Sequence, residues 1–207
     1  MARTKSSRRW LDRQASDPFV KLAQQAGYRS RAAYKLLEIQ ERDRMLAPGM
    51  RVVDLGAAPG SWSQVAAQLV GKRGQVFALD LLAMDPLPGV AILTGDFREP
   101  EVLAALRECL GEAPVDLVLS DMSPNISGTP EVDQPRTAYL VELALELAQA
   151  TLKPGGGLVV KTFQGVGFDQ MLRGLRADFA VVANRKPKAS RPESRELYLV
   201  AKGFRPR

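Results

Sequence analysis

The 207-residue sequence contains no histidine and only one cysteine, Cys109. The absence of imidazole excludes a histidine general base, a serine–histidine triad and any zinc site that needs a histidine ligand. A single cysteine cannot form an internal disulfide, which fits a protein of the reducing cytosol. Because Cys109 lies within the apolar pattern of residues 102–110, we expect it on a helix face packed against the core.

The sequence also lacks an apolar run of membrane-spanning length and a signal peptide with an apolar middle. Hydrophobic residues make up 45% of the chain and charged residues 25%, which is typical of globular proteins. We therefore expect a soluble cytoplasmic protein in which residues 1–207 form a single domain and which acts as a monomer.

Positive charge is concentrated at the two ends of the chain. Residues 1–31 carry eight Lys or Arg and two Asp, and residues 185–207 carry eight Lys or Arg and two Glu. Residues 32–184 have the opposite balance, with 13 basic and 19 acidic side chains. Because the termini of a domain often lie close together, the two basic ends predict one surface for a polyanion such as RNA.

The amino-terminal segment is predicted to be a flexible basic tail over residues 1–8 and a helical, RNA-facing segment over residues 9–45. Helical spacing covers residues 17–26 and 31–44, with Ser30 as a candidate cap of the second helix. Aromatic side chains between the basic ones favour nucleotide contacts, and anchoring of the segment to the core is the competing interpretation. These aromatic residues are Trp10, Phe19, Tyr28 and Tyr34.

Residues 52–60 are predicted to form a short buried strand that runs into a glycine-rich turn. Gly56 and Gly60 can adopt backbone angles closed to other residues, and Ser61 is suited to cap the next helix. Asp80 ends the following strand, where a carboxylate can accept hydrogen bonds from both hydroxyls of a ribose. This arrangement serves nicotinamide cofactors and S-adenosylmethionine alike, and a turn without any ligand is the simpler alternative.

Strands and helices alternate along the rest of the chain, which predicts an α/β, Rossmann-like domain. The seven-stranded sheet should be mostly parallel with an antiparallel last strand, and helices should cover both faces. A proline-containing loop is expected before a helix at residues 137–151, and a turn is expected at residues 153–157. The remaining strands are predicted at residues 76–79, 90–93, 115–120, 158–163, 180–184 and 196–201, and the other helices at 61–70 and 168–179.

Charged residues at strand ends indicate where chemistry could occur. Asp96 could accept a hydrogen bond from a base amino group, although a simple turn role is nearly as plausible. Lys161 interrupts an apolar strand, and an unpaired buried ammonium is costly, so it needs partners or a task. With Lys35, Asp121 and Glu196 it could form either a catalytic network or a structural cluster of ion pairs. We favour the catalytic network.

A ribose hydroxyl is a suitable substrate for such a network. Methylation at C5 of a pyrimidine normally needs a cysteine nucleophile, and Cys109 lies away from the predicted crevice. Methylation of a base amino group often uses an aromatic residue to stack the base, and residues 121–125 contain none. Lys161 could remove the hydroxyl proton or orient the hydroxyl, and the sequence leaves both roles open.

Seven short motifs together resemble the FtsJ-type 2'-O-ribose methyltransferases of large-subunit ribosomal RNA. The likeness extends from about Trp10 to Lys202 and implies S-adenosylmethionine as cofactor. The motifs are RSRAAYKL at 29–36, VDLGAAPG at 53–60, WSQ at 62–64, GDFR at 95–98, SDMSPNISGTP at 120–130, VKTFQG at 160–165 and SRELY at 194–198.

The resemblance assigns roles to individual residues. It implies a catalytic tetrad of Lys35, Asp121, Lys161 and Glu196, with Lys161 at its centre. It also implies an S-adenosylmethionine site, and no metal site, with the cofactor contacts Gly60, Trp62, Asp80, Asp96 and Asp121.

The implied substrate is a uridine in the A-loop of 23S rRNA in the large ribosomal subunit. Eukaryotic relatives act on other RNAs, so a tRNA or an mRNA cap remains an alternative, as does a non-catalytic role in ribosome assembly. A nicotinamide oxidoreductase would account for Asp80 but not for Lys161 or the basic ends. One departure from the family pattern is Ser61, where bacterial members usually have a second glycine, and it should only narrow the space beside the cofactor.

Overall fold

The computed structural model describes residues 17–124, 129–165, 167–191 and 194–206. The expected basic tail and Trp10 lie outside these residues. Seven strands form one sheet in the order β3-β2-β1-β4-β5-β7-β6. The strands are β1 (Arg51–Leu55), β2 (Gln75–Asp80), β3 (Val90–Thr94), β4 (Val115–Ser120), β5 (Leu152–Phe163), β6 (Phe179–Arg185) and β7 (Glu196–Phe204).

The pairing of the strands confirms the predicted topology. Strands β1 to β5 pair in parallel, whereas β7 pairs antiparallel with both β5 and β6. Leu55 pairs with Ser120 at the carboxyl ends of β1 and β4, so the segments that follow these two strands leave the sheet at the same edge. That edge is where ligands bind in open α/β sheets.

Helices cover both faces of the sheet, as predicted. One apolar core lies between the sheet and the helices α4, α5 and α6, and the other between the sheet and the helices α2 and α3. None of the described helices has the length and apolar character needed to cross a bilayer. The helices are α1 (Pro18–Gln25), α2 (Ala33–Asp43), α3 (Ser61–Val70), α4 (Pro100–Leu110), α5 (Pro130–Thr151) and α6 (Phe168–Asp178).

The predicted burial of Cys109 is wrong, because the cysteine is exposed. Helix α4 turns Leu106 and Leu110, which are four residues apart, towards the core. Cys109 precedes Leu110 by one residue, which is about 100° of rotation around the helix, and therefore projects away from that stripe.

Two predicted boundaries are also wrong, and prolines and glycines explain both. Helix α5 already begins at Pro130, because proline is well tolerated in the first turn of a helix, and it continues through Pro135. The expected turn at residues 153–157 belongs to β5, which starts at Leu152. Its pairing with β4 is irregular between Val115 and Leu117, and the glycines allow the backbone to follow that irregularity.

Candidate active site

The glycine turn between β1 and α3 has the backbone geometry expected from the sequence. Gly56 and Gly60 have φ angles of 71° and 106°. A Cβ atom added to Gly56 would lie 2.7 Å from the Met122 side chain, so the two segments that leave β1 and β4 approach as closely as glycine permits. Helix α3 has Gly60 as its cap without a side-chain bond, so the predicted capping role of Ser61 is wrong.

A cleft of about 730 Å³ opens beside this turn at the carboxyl ends of the parallel strands. The predicted residues Asp80, Asp96 and Asp121 line it together with apolar side chains. The described lining also includes Leu55, Gly56, Ala58, Leu79, Leu81, Leu82, Gly95, Phe97, Arg98, Met122, Ser123, Pro124, Arg136, Tyr139, Leu140 and Leu143.

Asp80 is positioned by the backbone on either side of the cleft. Its Oδ2 accepts a hydrogen bond from the Ala58 amide at 2.9 Å, and its Oδ1 accepts one from the Leu82 amide at 2.8 Å. A carboxylate oxygen has two acceptor sites, so each Asp80 oxygen retains capacity for a ligand hydroxyl. The carboxylate therefore suits the ribose role expected of it.

The Asp96 carboxylate has a partner that the sequence did not suggest. Its Oδ1 accepts hydrogen bonds from the Arg98 amide and Nε, both at 2.9 Å, and its Oδ2 accepts one from Arg98 NH2 at 2.5 Å. Hydrogen bonding to Arg98 lowers the pKa of Asp96 below its ordinary value. A ligand amino group would therefore meet an ionised carboxylate that already shares its oxygens with Arg98.

Among the described residues that line the cleft, neither Gly60 nor Trp62 occurs. The Trp62 side chain is only 2% exposed and donates from its ring nitrogen to the Ala32 carbonyl at 2.9 Å. Its ring also packs against that of Tyr198, with 5.5 Å between the centroids. Direct cofactor contact by Gly60 and Trp62 remains a prediction, while the Trp62 indole clearly joins α3 to the start of α2.

The four residues of the predicted tetrad lie in one continuous hydrogen-bonded series. Lys161 Nζ is 2.8 Å from the Asp121 carbonyl oxygen and 3.0 Å from its Oδ1. Lys35 Nζ lies 2.8 Å from Glu196 Oε1. The phenol of Tyr198 joins the two pairs, since it accepts from Lys35 at 3.1 Å and donates to Asp121 Oδ1 at 2.7 Å.

Tyr198 is the member of this series that the sequence analysis missed. An available signal was the alternation along β7, which places Tyr198 on the same face as Glu196. The antiparallel register then places Tyr198 directly opposite Lys161. Only the strand pairing, which the sequence does not reveal, shows that this tyrosine stands between the two lysines.

Burial sets the electrostatics of the series. Both lysines are 8% exposed. Burial raises the pKa of Glu196, but the charge and hydrogen bond of Lys35, together with Ser190 and Lys161, outweigh it and hold that pKa below its ordinary value. Burial, reinforced by Asp121 and Glu196, raises the pKa of Tyr198 well above its ordinary value, so the phenol keeps its proton. The series therefore contains a carboxylate at Glu196 and a neutral phenol at Tyr198.

Asp54 is a buried carboxyl group beneath the glycine turn. It has no exposed surface, and its Oδ2 accepts a hydrogen bond from the Ser63 hydroxyl at 2.6 Å. Oδ1 is buried without a hydrogen-bond partner. Burial raises the pKa of Asp54 to about 7, with smaller contributions in the same direction from Asp121 and Asp80. The group thus titrates near neutral pH.

The two basic ends of the chain meet beside α2. The Arg31 guanidinium donates to the Ala189 carbonyl, and the Lys188 amide donates to Glu38 at 2.7 Å. Arg185 pairs with both oxygens of Asp43 at the end of α2, at 2.6 and 2.8 Å. These contacts bring the basic turn after β6 against the helix that carries Lys35.

The aromatic residues of the amino-terminal segment contact one another. Tyr34 lies between Phe19 and Tyr28, with centroid separations of 5.7 and 5.9 Å. All three residues are partly buried, which is compatible with an anchoring role and leaves part of each ring accessible. Nucleotide contact by this group therefore stays a prediction.

The arrangement as a whole can hold a ligand in the cleft and act on a group beside Asp121. Asp121 belongs both to the cleft wall and to the hydrogen-bonded series. A hydroxyl group placed next to Lys161 would therefore face the ligand across Asp121. Proton transfer and hydroxyl orientation are both within the chemistry of an amine held in this way.

Comparison with known proteins gives full-length matches. The chain matches the family model described as FtsJ-like methyltransferase over residues 28–204. It is similar to the ribosomal RNA large subunit methyltransferase E of Pseudomonas paraeruginosa, with 58% identity over 205 residues and 99% coverage of each chain. The protein of the same name from Alkalilimnicola ehrlichii is 60% identical over 202 residues, covering 98% of this chain and 97% of the relative. A solved ribosomal RNA methyltransferase from Plasmodium falciparum has a TM-score of 0.78 and 30% identity, and the match covers 87% of this chain and 100% of that one.

Proposed function

The chain belongs to the FtsJ-like methyltransferase family, and from this premise we propose that it methylates the ribose 2'-hydroxyl of a uridine in the A-loop of 23S rRNA. The methyl donor in this proposal is S-adenosylmethionine. The observation that carries the proposal is the unbroken series from Lys161 through Asp121, Tyr198 and Lys35 to Glu196, which meets the wall of the cleft at Asp121.

The residues of the cleft fit S-adenosylmethionine. Asp80 offers acceptors for the ribose hydroxyls, and Asp96 offers one for the adenine amino group. Leu81, Leu82 and Phe97 supply apolar surface for the adenine ring. Asp121 adds negative charge near the reacting end, where a sulfonium would be attracted. When bound, the cofactor supplies an electrophilic methyl group.

Lys161 would handle the substrate hydroxyl in the proposed reaction. Three tetrahedral directions remain around its nitrogen besides the bond to the side-chain carbon, and contacts with the carbonyl oxygen and Oδ1 of Asp121 occupy two of them. The remaining direction is available for the ribose oxygen, either as an N–H donor or as a lone pair that accepts its proton. Asp121 thus fixes the direction in which Lys161 meets the hydroxyl.

The other members of the series keep that geometry constant. Tyr198 donates to Asp121 and accepts from Lys35, so the carboxylate cannot rotate without breaking a buried hydrogen bond. Glu196 balances the charge of Lys35. The hydroxyl is therefore oriented by a network whose side chains are held before substrate arrives, which is the condition for efficient in-line transfer.

The RNA would lie on the basic surface formed by the segment that precedes α2 and by the turn after β6. This surface adjoins the end of the series at Lys35, so phosphates held there would place a ribose near Lys161. We further propose that the protein acts as a monomer in the cytoplasm, on the assembled or nearly assembled large subunit.

The reaction is tested with large subunits that lack the modification. Purified protein and radiolabelled S-adenosylmethionine should transfer a methyl group to one ribose, which is then located by mapping the modified nucleotide in 23S rRNA. Label in a tRNA or an mRNA cap instead would reject the proposed substrate. Binding to the subunit without transfer would favour a non-catalytic assembly role.

RNA binding by the basic surface should depend steeply on salt, because Lys and Arg side chains release counterions from phosphate. Replacing Lys186 and Lys188 by Gln should flatten the plot of log affinity against log salt concentration, with a slope smaller by roughly 1.5. The same pair of replacements at Lys72 and Arg73, which precede β2 at the opposite edge of the sheet, should leave the slope unchanged. Equal slopes for all three proteins would contradict the assigned surface.

A further inference from the structure

We propose that Arg29 is a positioning residue that fixes the loop of residues 81–89 against the glycine turn and so sets the affinity for S-adenosylmethionine. This inference rests on the proposed function, because it takes S-adenosylmethionine as the ligand of the cleft. Among the described residues, Arg29 does not belong to the cleft wall. Arg29 would act through the backbone of the glycine turn and of the 81–89 loop, both of which line the cleft.

The guanidinium of Arg29 joins the two segments directly. NH1 donates to the Pro59 carbonyl in the glycine turn at 2.9 Å, and NH2 donates to the Pro86 carbonyl in the 81–89 loop at 3.0 Å. A planar guanidinium can hold two acceptors at a fixed separation, which a lysine ammonium cannot do in the same way. Arg29 therefore sets the distance between the turn and the loop.

Close packing around Gly60 supports this reading. A Cβ atom at Gly60 would lie 2.8 Å from Arg29 NH1 and 2.9 Å from a methyl carbon of Leu87. The turn, the guanidinium and the loop thus touch at one point, where no larger residue fits without displacement. A shift of the loop would therefore displace Gly60, and with it the first residues of α3.

Apart from the hydrogen bond of the Leu82 amide to Asp80, the loop has few contacts that bury it. Leu81 and Leu82, which line the cleft, are 62% and 67% exposed, and none of residues 81–89 is buried. Segments with few buried contacts open at low free-energy cost. The two hydrogen bonds of Arg29 should therefore contribute much of the free energy that holds Leu81 and Leu82 at the cleft.

The segment that carries Arg29 is itself firmly attached to α3. The Arg29 amide donates to Gln64 at 2.8 Å, and the Gln64 side chain donates back to the Gly27 carbonyl at 3.1 Å. The Ser30 and Ser61 hydroxyls lie 2.7 Å apart. Ser61, where a second glycine was expected, directs its hydroxyl to this segment. The backbone of Arg29 is thus held against α3, and the same segment continues into the helix that carries Lys35.

The test compares Arg29→Met, Arg29→Lys and, as a matched control, Arg42→Met, which removes an exposed cation from α2. Calorimetric titration of the full chain with S-adenosylmethionine should show binding about ten-fold weaker for Arg29→Met, because two hydrogen bonds are lost. Arg29→Lys should fall between Arg29→Met and the native protein, and Arg42→Met should bind within about two-fold of native. Amide hydrogen exchange in residues 81–89 should accelerate most in Arg29→Met, less in Arg29→Lys and not in Arg42→Met.

Kinetics separate positioning from general damage and from RNA contact. For Arg29→Met the KM for S-adenosylmethionine should rise while kcat at saturating substrates stays within about two-fold. An unchanged cofactor affinity with a raised KM for the large subunit would overturn the inference. Should Arg29→Met fold poorly in a thermal melt, Arg29→Lys decides the question by the same titration. If the native protein itself fails to bind S-adenosylmethionine, the proposed function fails instead.

Discussion

Replacing Lys161 with Met is expected to lower kcat for methyl transfer by about a factor of 10³, while the affinity for S-adenosylmethionine changes by less than about two-fold. The Met side chain keeps most of the buried stem but removes the nitrogen that Asp121 directs at the substrate hydroxyl. Lys161 is not among the described residues of the cleft wall, so cofactor binding should persist. Single-turnover transfer to unmodified large subunits gives kcat, and calorimetry gives the cofactor affinity.

Two further variants show how Lys161 acts. Lys161→Arg retains the charge but cannot release a proton near neutral pH, so partial activity would indicate an orienting role and complete loss a proton-accepting one. Tyr198→Phe keeps the amine and removes the hydroxyl that joins Lys35 to Asp121, and should cost only about ten-fold in kcat. Activity within two-fold of native for Lys161→Met would refute the assignment of Lys161 as the catalytic residue.

Asp54→Asn is expected to stabilise the folded protein increasingly as the pH rises from about 4 to 8. Burial raises the pKa of Asp54 from 3.8 to about 7, so the folded state favours the protonated form. The stabilising effect of that protonation is fully present below pH 3.8 and is lost as the pH rises through 7, because the unfolded chain ionises first. At about 1.4 kcal/mol for each pKa unit, the loss approaches ~4 kcal/mol by pH 8.

Asparagine cannot ionise, and its carbonyl can still accept the Ser63 hydroxyl, so the variant should escape that loss. Urea unfolding at pH 5 and pH 8 measures the effect as the change with pH in the difference between variant and native free energies of unfolding. Asp85→Asn, which alters an exposed carboxylate, is the control and should show no such change. A difference that stays constant between the two pH values would show that Asp54 does not titrate as described.

The sheet topology and four of the five members of the hydrogen-bonded series, all except Tyr198, were predictable from sequence. Apolar runs alternating with helices fix a doubly wound fold, and parallel strands place their carboxyl ends at one edge, which brought Asp80, Asp96 and Asp121 together. Lys35 and Glu196 were grouped with Lys161 and Asp121 from their predicted positions, and the motif resemblance then implied that the four form a catalytic tetrad. These features depend on local patterns and on topology rules that hold across many proteins.

Other features depend on contacts between distant segments. Tyr198 became visible as part of the series only through the register of β7 against β5. Arg98 could not be assigned to Asp96 because the direction of a long, exposed side chain has no sequence pattern. Cys109 was misplaced because an apolar helix can turn several faces inward, and only its packing partners decide which one. Pro130 suggested a loop, although proline is compatible with the start of a helix. Pro135 lies inside the same helix, where it removes one backbone donor.

Strand β7 lies between β5 and β6, although both of those precede it in the chain. During synthesis from the amino terminus, the segments that line the described cleft, from Leu55 to Leu143, leave the ribosome well before Glu196 and Tyr198. A nascent chain would therefore acquire the walls of its cleft first, and would acquire Glu196 and Tyr198, which hold Lys35 and Asp121, only when the last strand enters between its two neighbours. Methylating competence should appear late and abruptly during translation.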